Sequence, residues 1–589
     1  MSLRLIDQVL NIQYCPCNHS KLSGIIKHLL IISGLMFSSA LCASNPPPNF
    51  LVIVADDLGY SDLGAFGGEI STPNLDALAK SGIRLTNFHT SAACAPTRAM
   101  LLTGADNHQV GLGTMVQPTP EQERSPGYVQ YLTDNTITIA EYLSNAGYDT
   151  MMVGKWHLGL KPEESPSHHG FSRSYVLLPG AASHYGVDQN KDFETYSWAS
   201  SRKNRRAVYK ENNQLVRYLV GAYSTEVYTH KMLEYLGESI EGGQPFFAYL
   251  AYTAPHWPLQ APDDTIKKYK GKYDQGPEAL RKKRLQNLKS MNLISENVTP
   301  HPMENIRPWD ELSEQERAVQ SRKMEIYAAM VDHMDDGVGR IIQLLKDKKQ
   351  FENTVIVFIS DNGAEGQTTA ALGGDPFIEA DNSLANLGKP DSYAAYGPGW
   401  AQAASAPFRL YKAYSTEGGV RTPAFVTGPG IKGSRISGAF TYVSDITPTL
   451  LDIAGVSPVA DKKDVTVDIR GHSWSQLLRG EAQRVYSDDE AVGGELFGGR
   501  YLYKGPWKIT YVQDGYYHPT EAGPGKWELF NIRKDPGETT DLSGKYPKVL
   551  ADLVADWHDY ARDTGVVVLW DERKDAHKAD AKFADGAGE

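Results

Sequence analysis

The stretch Phe50-Leu51-Val52-Ile53-Val54-Ala55, followed directly by Asp56-Asp57, decides the fold of this 589-residue chain. A continuous apolar run rich in β-branched residues predicts a buried strand of a parallel sheet. Open α/β sheets bind their ligands at the carboxyl ends of such strands. The paired aspartates at this strand end are therefore the first candidate functional residues.

The same arrangement recurs three times further along the chain. Apolar strands are predicted over Tyr148–Val153, Phe246–Ala251 and Thr354–Ile359. The polar segments that follow them are Gly154-Lys155-Trp156-His157, Pro255-His256 and Asp361-Asn362. Helical patterns are predicted over Pro73–Ser81, Pro96–Thr103, Thr138–Ala146, Thr225–Ile240 and Glu314–Lys346. The alternation predicts an α/β fold, with a large mixed, mostly parallel sheet sandwiched by helices.

The last part of the chain has a different pattern. Arg500–Val512 and Lys526–Ile532 predict antiparallel strands, and Lys548–Arg562 predicts a closing helix. We expect an α/β domain over residues 44–460, a smaller α+β subdomain over 461–570 and a disordered tail over 571–589. Within the first domain, residues 364–405 predict a long active-site loop and the basic residues 267–289 a solvated excursion.

The N-terminus predicts an exported protein. Lys21 and Lys27 precede an apolar run, Leu29 to Leu41, that is too short to span a bilayer. Small residues then favour cleavage near residues 42–44, so that residues 1–43 form a signal peptide or leader. We expect a periplasmic or secreted protein with no stable membrane span. Of the four cysteines, the mature chain would keep Cys94.

The net charge of −12 makes the chain as a whole unattractive to nucleic acid and to anionic membranes. We expect no nucleic-acid partner. An anionic substrate would need a local pocket of positive charge. Arg98, Lys155, His157, His256 and Lys412 are candidates to line one. Taken singly, Lys155 is equally compatible with a surface lysine, and His256 with a buried structural histidine.

The strand ends also predict a metal site. Asp56, Asp57, Asp361 and Asn362 would supply three carboxylates and an amide oxygen, a set that suits Ca²⁺, or Mg²⁺, better than zinc. Each Asp-Asp or Asp-Asn pair alone is common as a cap or turn. Their shared position at neighbouring strand ends is what indicates a metal.

The segment Cys94-Ala95-Pro96-Thr97-Arg98 places a cysteine at the start of a predicted helix, with an arginine one turn later. Proline suits the first helical position, and a helix N-terminus favours an anion. Read alone, the segment is as well explained by a buried cysteine before an ordinary helix.

Together, these motifs resemble those of the sulfatase family, in the form whose signature is Cys-x-Pro-x-Arg followed by Leu102-Thr103-Gly104. The resemblance also covers Lys412, Glu417-Gly418-Gly419 and the turn Asp535-Pro536-Gly537-Glu538, and runs from about residue 49 to about residue 560. The spacing looks closest to bacterial arylsulfatases. The resemblance to the family implies an alkaline phosphatase-like fold and hydrolysis of a sulfate ester to an alcohol or phenol and sulfate.

The resemblance also implies a role for each matching residue. Cys94 would be converted to formylglycine by a maturation enzyme, and its hydrate would attack sulfur. Calcium would be held by Asp56, Asp57, Cys94, Asp361 and Asn362. Arg98 would activate the hydrate, Asp361 would accept its proton, and Lys155, His157 and Lys412 would bind hydrate and sulfate. His256 would protonate the leaving oxygen, and His157 would then help to release sulfate.

Two alternatives stay open at this point. A phosphodiester or phosphonate monoester hydrolase would use a similar metal and cationic clamp; Asn362 in place of histidine, with Lys155 and Lys412, favours sulfate. An inactive, sulfatase-like binding protein would keep its cysteine, but no motif residue is missing. The sequence does not choose among aryl, alkyl and saccharide sulfates as the substrate.

Overall fold

The structure is a computed structural model that describes residues 46–188, 207–369, 380–458, 465–513 and 525–568. The predicted leader and the predicted tail lie outside these residues. The strands of the described part are β1 Asn49–Ala55, β2 Ile83–Leu85, β3 Phe88–His89, β4 Asp149–Lys155, β5 Arg173–Leu177, β6 Tyr209–Glu211, β7 Gln214–Val216, β8 Phe246–Ala251, β9 Thr354–Ser360, β10 Ala424–Thr427, β11 Arg435–Ser437, β12 Thr441–Tyr442, β13 Ala491–Leu496, β14 Gly499–Lys504, β15 Trp507–Tyr511 and β16 Trp527–Asn531.

The α-helices of the same residues are α1 Pro73–Ser81, α2 Cys94–Thr103, α3 Ile139–Asn145, α4 Ser224–Gly242, α5 Asp263–Lys267, α6 Gly276–Ser290, α7 Glu314–Asp347, α8 Pro398–Ala404, α9 Glu417–Val420, α10 Ile446–Ala454, α11 Ser475–Arg479 and α12 Pro547–Thr564. Short 3-10 helices join several of them. No helix in this part of the chain is long and apolar enough to cross a membrane.

The main sheet has ten described strands in the order β11-β2-β10-β9-β1-β8-β4-β5-β6-β7. The five from β9 to β5 run parallel, whereas β10 and β6 pair antiparallel with the ends of this set. The predicted mixed, mostly parallel sheet is confirmed.

The first strand shows how sequence produces this sheet. Leu51 and Ile53 of β1 face one apolar layer, which includes side chains of α1, α4 and α7. Phe50, Val52 and Val54 face the opposite layer, which includes side chains of α2, α3 and α10. Because both faces are covered by helices, every residue of β1 is buried, which explains its continuous apolar run.

A second, antiparallel sheet is formed by β13, β14, β15 and β16 in that order. Leu553 and Trp557 of α12 pack on this sheet with Leu502, Ile509 and Leu529. The expected α+β arrangement near the C-terminus is therefore present. The exact domain boundaries stay a prediction.

Three local expectations need correction. The basic residues 267–289 are not only a solvated excursion, because α6 buries Arg284 against Asp62 and Glu69. Residues 364–405 are not all loop, because they include α8; residues 370–379 lie outside the described part. Helix α2 begins at Cys94 rather than at Pro96: the Thr97 N–H donates to the Ala93 carbonyl at 3.3 Å and closes a turn that tolerates proline.

Candidate active site

Four neighbouring parallel strands, β9, β1, β8 and β4, end at one buried edge of the main sheet. Lys155 is the last residue of β4, and the other predicted side chains follow the remaining strands: Asp361 and Asn362, Asp56 and Asp57, and His256. All of these side chains are buried. The parallel arrangement thus brings together segments that are far apart in sequence.

Helix α2 adds Cys94 to this cluster. Its Sγ lies 3.4 Å from Oδ1 of Asp56 and 3.6 Å from Oδ1 of Asp57. Burial, and then the nearby Asp361 carboxylate, hold the pKa of the Cys94 thiol well above its ordinary value. The thiol is therefore protonated at neutral pH, and an unmodified Cys94 would be a weak nucleophile.

Arg98 lies one helical turn after Cys94 and pairs with Asp361. Its Nε and Nη2 donate to Oδ2 of Asp361 at 3.0 and 2.7 Å, and its Nη1 donates to the Lys155 carbonyl at 3.0 Å. Both side chains of the ion pair are fully buried. The guanidinium is thereby fixed beside Cys94.

Asp56 and Lys155 form a second buried pair. The Lys155 Nζ donates to both carboxylate oxygens of Asp56 at 2.8 Å. Burial nevertheless outweighs the attraction of Lys155 and Arg98 and raises the pKa of Asp56 to about 7. Asp56 is thus a carboxylate that lacks enough positive charge around it.

Asp57 is compensated by neighbouring positive charge more completely than Asp56 is. It adopts a left-handed backbone (φ 68°), and its N–H donates to Oδ1 of Asp361 at 3.1 Å. Burial raises its pKa, but the positive charges around it, Lys412 foremost and Lys155, outweigh burial and bring the pKa below the ordinary value. The Asp57 side chain is therefore ionised.

Lys412 bridges two carboxylates. Its Nζ lies 2.8 Å from Oδ1 of Asp57 and 3.0 Å from Oε2 of Glu365. The next residue, Ala413, donates its N–H to the Ala92 carbonyl at 2.7 Å, which ties this loop to the segment before Cys94. Glu365 is not among the residues predicted from the sequence, where it is marked only as an acidic residue four positions after Asp361.

His256 has one ring nitrogen fixed by the backbone. Nδ1 lies 2.6 Å from the Trp257 carbonyl, which can only accept, so Nδ1 carries a hydrogen. Nε2 lies 3.4 Å from Oδ2 of Asp57. Burial holds the pKa of His256 well below its ordinary value, and Lys412 and Lys155 lower it further against the opposing effect of Asp57. The ring is therefore neutral when no substrate is bound.

His157 lies beside the same cationic groups. Its backbone is left-handed (φ 59°). Its ring packs directly against Gly180, where the Cβ of any other residue would lie only 2.4 Å from ring atoms Cε1 and Nε2. Burial lowers its pKa first, and Lys155 and Arg98 lower it further. Its Nδ1 is buried and has no hydrogen-bond partner among the described residues.

The arrangement could hold a metal ion. Asp56, Asp57, Cys94 and His256 can each offer one ligand atom, all within 4.8 Å of one another. Asn362 donates from Nδ2 to Oδ1 of Asp57 at 2.7 Å, whereas its own buried Oδ1 has no hydrogen-bond partner in the described structure. A buried amide oxygen without a partner is costly unless a cation or donor meets it. The buried carboxylates and this amide oxygen therefore fit a metal ion at the strand ends, and the full predicted ligand set stays a prediction.

The family model described as Sulfatase matches residues 48–456 of the chain. The chain is 43% identical over 552 residues to an uncharacterized sulfatase of Schizosaccharomyces pombe, covering 90% of this chain and 96% of that protein. It is 37% identical over 437 residues to an arylsulfatase of Klebsiella aerogenes, covering 72% and 91% of the two chains. Its fold is similar to the crystal structure of PsFucS1 sulfatase from Pseudoalteromonas sp., with a TM-score of 0.57, 19% identity and 91% and 94% coverage.

Proposed function

Because this chain belongs to the sulfatase family, we propose that it hydrolyses sulfate esters to an alcohol or phenol and inorganic sulfate, with formylglycine derived from Cys94 and a bound calcium ion. The observation that carries the proposal is the position of the Cys94 Sγ, 3.4 Å from Asp56 at the start of α2 and within a ring of buried cations.

The chemistry of Cys94 favours its conversion to formylglycine. A thiol attack on sulfur would leave an adduct that has no easy exit, and the raised pKa of Cys94 makes such an attack weak. Formylglycine supplies a hydrated aldehyde that can attack sulfur and later expel sulfate by re-forming the aldehyde. Cys94 is buried in the folded chain, so we propose that a maturation enzyme acts before folding is complete.

The metal site follows from the oxygen-rich set. Asp56, Asp57, Asp361 and Asn362 would hold calcium, with magnesium as the alternative, and the modified side chain at position 94 would be next to it. A bound divalent cation supplies positive charge that polarises a sulfate oxygen and lowers the pKa of a nearby hydroxyl. It would also meet the Asn362 Oδ1 and compensate Asp56.

The cationic side chains of the protein would stabilise the remaining negative charge of the reacting groups. Arg98 stabilises negative charge at position 94 and orients Asp361, which accepts the proton of the attacking hydroxyl. Lys155 and Lys412 stabilise the sulfate oxygens once substrate competes with the carboxylates that they contact now. Their positions beside Asp56 and Asp57 support this role.

The two histidines move protons. An arriving sulfate ester is an anion, and its charge favours the protonated form of His256, whose Nε2 faces the cluster while Nδ1 stays bonded to the Trp257 carbonyl. We propose that Nε2 donates a proton to the leaving oxygen. His157, held neutral by burial and neighbouring cations, accepts a proton from the remaining hydroxyl as sulfate is released.

Aryl sulfates are the first substrates to test, since the Klebsiella aerogenes relative is an arylsulfatase. Purified enzyme should hydrolyse 4-nitrophenyl sulfate faster than a nitrophenyl phosphodiester, and Cys94→Ala should lose turnover by on the order of 10³-fold or more. A faster phosphodiesterase rate would contradict the assignment. We also propose export to the periplasm or medium; a tagged chain that stays in the cytosol with its leader intact would contradict that part.

A further inference from the structure

A second buried histidine, His184, is bonded to the backbone of His256. Its Nε2 lies 3.0 Å from the His256 carbonyl oxygen. The His184 side chain lies in the segment after β5, far in sequence from the strand-end loop that carries His256, and His184 is only 1% exposed. His184 forms these hydrogen bonds with other groups and not with Cys94 or with the active-site carboxylates.

The hydrogen bonds define the tautomer of His184. A carbonyl oxygen can only accept, so Nε2 carries the hydrogen. Burial lowers the pKa of His184 to about 4 and keeps the ring neutral, which makes Nδ1 an acceptor. The Ser224 hydroxyl, 2.7 Å from Nδ1, is then the donor. Ser224 thus holds the His184 ring in the orientation from which its Nε2–H donates to the His256 carbonyl.

The turn that carries His256 is held from both sides. The His256 N–H donates to the Thr253 carbonyl at 3.0 Å, and the His256 carbonyl accepts from His184. The Thr253 hydroxyl lies 3.4 Å from that of Ser224, which closes a ring of contacts. The His184 N–H also donates at 2.8 Å to Oε1 of the fully buried Gln260.

We propose that His184 is a positioning residue for His256: through its Nε2–H···O=C bond and the Ser224 hydroxyl, it fixes the backbone that points His256 Nε2 at the leaving oxygen. This inference rests on the proposed acid role of His256. A displaced acid matters most when the leaving oxygen is strongly basic, because that oxygen then depends on receiving a proton. Loss of His184 should therefore penalise poor leaving groups selectively.

The test compares two substrates across matched variants of the full-length enzyme, with rates divided by the aldehyde content at position 94. The substrates are 4-nitrophenyl sulfate and phenyl sulfate, whose leaving phenol is the weaker acid. His184→Leu removes the donor, His184→Gln keeps an N–H that reaches the same carbonyl, and His256→Asn removes the proposed acid. His108→Gln, a change at a buried histidine bonded to other groups, controls for general destabilisation.

We expect His184→Leu to lower kcat/KM for phenyl sulfate about tenfold or more and for 4-nitrophenyl sulfate less than about threefold. His184→Gln should restore most of the difference, and His108→Gln should leave the ratio of the two rates unchanged. His256→Asn should show a larger selective loss. If His184→Leu does not fold, Ser224→Ala should still shift the ratio in the same direction.

Equal losses on both substrates in His184→Leu, beside a selective loss in His256→Asn, would overturn the positioning role alone. If His184→Leu cannot be purified, an unchanged ratio of the phenyl sulfate and 4-nitrophenyl sulfate rates in Ser224→Ala would also overturn the positioning role. A His256→Asn variant without selective loss would overturn instead the acid role in the proposed function.

Discussion

Arg98 donates two hydrogen bonds to a single oxygen of Asp361, and neither side chain is exposed to solvent. Removing one partner of such a buried pair leaves an uncompensated charge. We expect Arg98→Met to lower the free energy of unfolding by about 3–5 kcal/mol, measured by urea denaturation. The double variant Arg98→Met/Asp361→Asn should recover part of this loss. If the double variant lost as much as Arg98→Met and Asp361→Asn lose together when measured singly, the two side chains would not be coupled.

The proposed metal site predicts a calcium-dependent stability. EDTA should lower the midpoint of thermal unfolding of the purified protein, and calcium should restore it; a ligand at 100 times its Kd stabilises by about 2.7 kcal/mol. Asn362→Ala should reduce this response, because its Oδ1 is a buried oxygen at the site without a hydrogen-bond partner among the described residues. Asp336→Asn, at an exposed position of α7, should keep it. An unfolding midpoint that EDTA and calcium leave unchanged would contradict the site.

His108 predicts a pH-dependent stability remote from the proposed chemistry. Its ring lies 3.0 Å from Asp106 and 2.9 Å from Glu495. Burial lowers its pKa, but hydrogen bonds to these two carboxylates outweigh burial and raise it from 6.5 to about 9. A pKa raised by folding means stability that is present below about pH 6.5 and lost as the pH rises through about 9.

The rise in the pKa of His108 from 6.5 to about 9 corresponds to about 3 kcal/mol of unfolding free energy. Urea denaturation at several pH values should show the free energy of unfolding of the wild type falling between pH 6.5 and 9. The curve of His108→Gln should fall less over that interval. Parallel curves for the two proteins would show that His108 is not charged in the folded state.

Lys508 of the C-terminal sheet forms buried ion pairs that connect this sheet to the segment after Lys412, and these pairs should contribute strongly to the free energy of unfolding. Its Nζ lies 2.9 Å from Glu417 and 2.8 Å from Glu538, and all three side chains are fully buried. Burial, with Glu417 as a like charge, raises the pKa of Glu538 to about 7 despite Lys508. Lys508→Met should cost about 3–5 kcal/mol of unfolding free energy.

The matched control is Lys508→Met/Glu538→Gln, which removes one of the two carboxylates that would otherwise repel each other. Urea denaturation should find the double variant more stable than Lys508→Met. If the second change destabilised the protein further, Glu538 would be stabilised by groups other than Lys508.

Much of the fold could be predicted because it depends on local pattern. The apolar run of β1 needs helices on both faces, and its position then places Asp56 and Asp57 at a strand end. Strand β8 and helix α1 have the predicted bounds. The strand-end motifs could be predicted to meet because parallel neighbours end at one edge.

The rest depends on contacts between distant segments, which leave no local pattern. Glu365 matters because Lys412 reaches it, and His184 because a separate loop carries it to the His256 backbone. Helix α6 looked like a solvated stretch because its composition is polar, yet Arg284 is buried by partners some 215 residues away in sequence. Tertiary packing, and not the local sequence pattern, determines these partners.

The proposed sulfate-ester hydrolysis depends most on the chemical state of residue 94, which mass spectrometry of the peptide containing Cys94 measures directly. Protein purified from a host with a maturation system and turning over 4-nitrophenyl sulfate should carry an aldehyde in place of the thiol, in proportion to its activity. Fully active protein whose peptide carries only an intact Cys94 thiol would contradict the account.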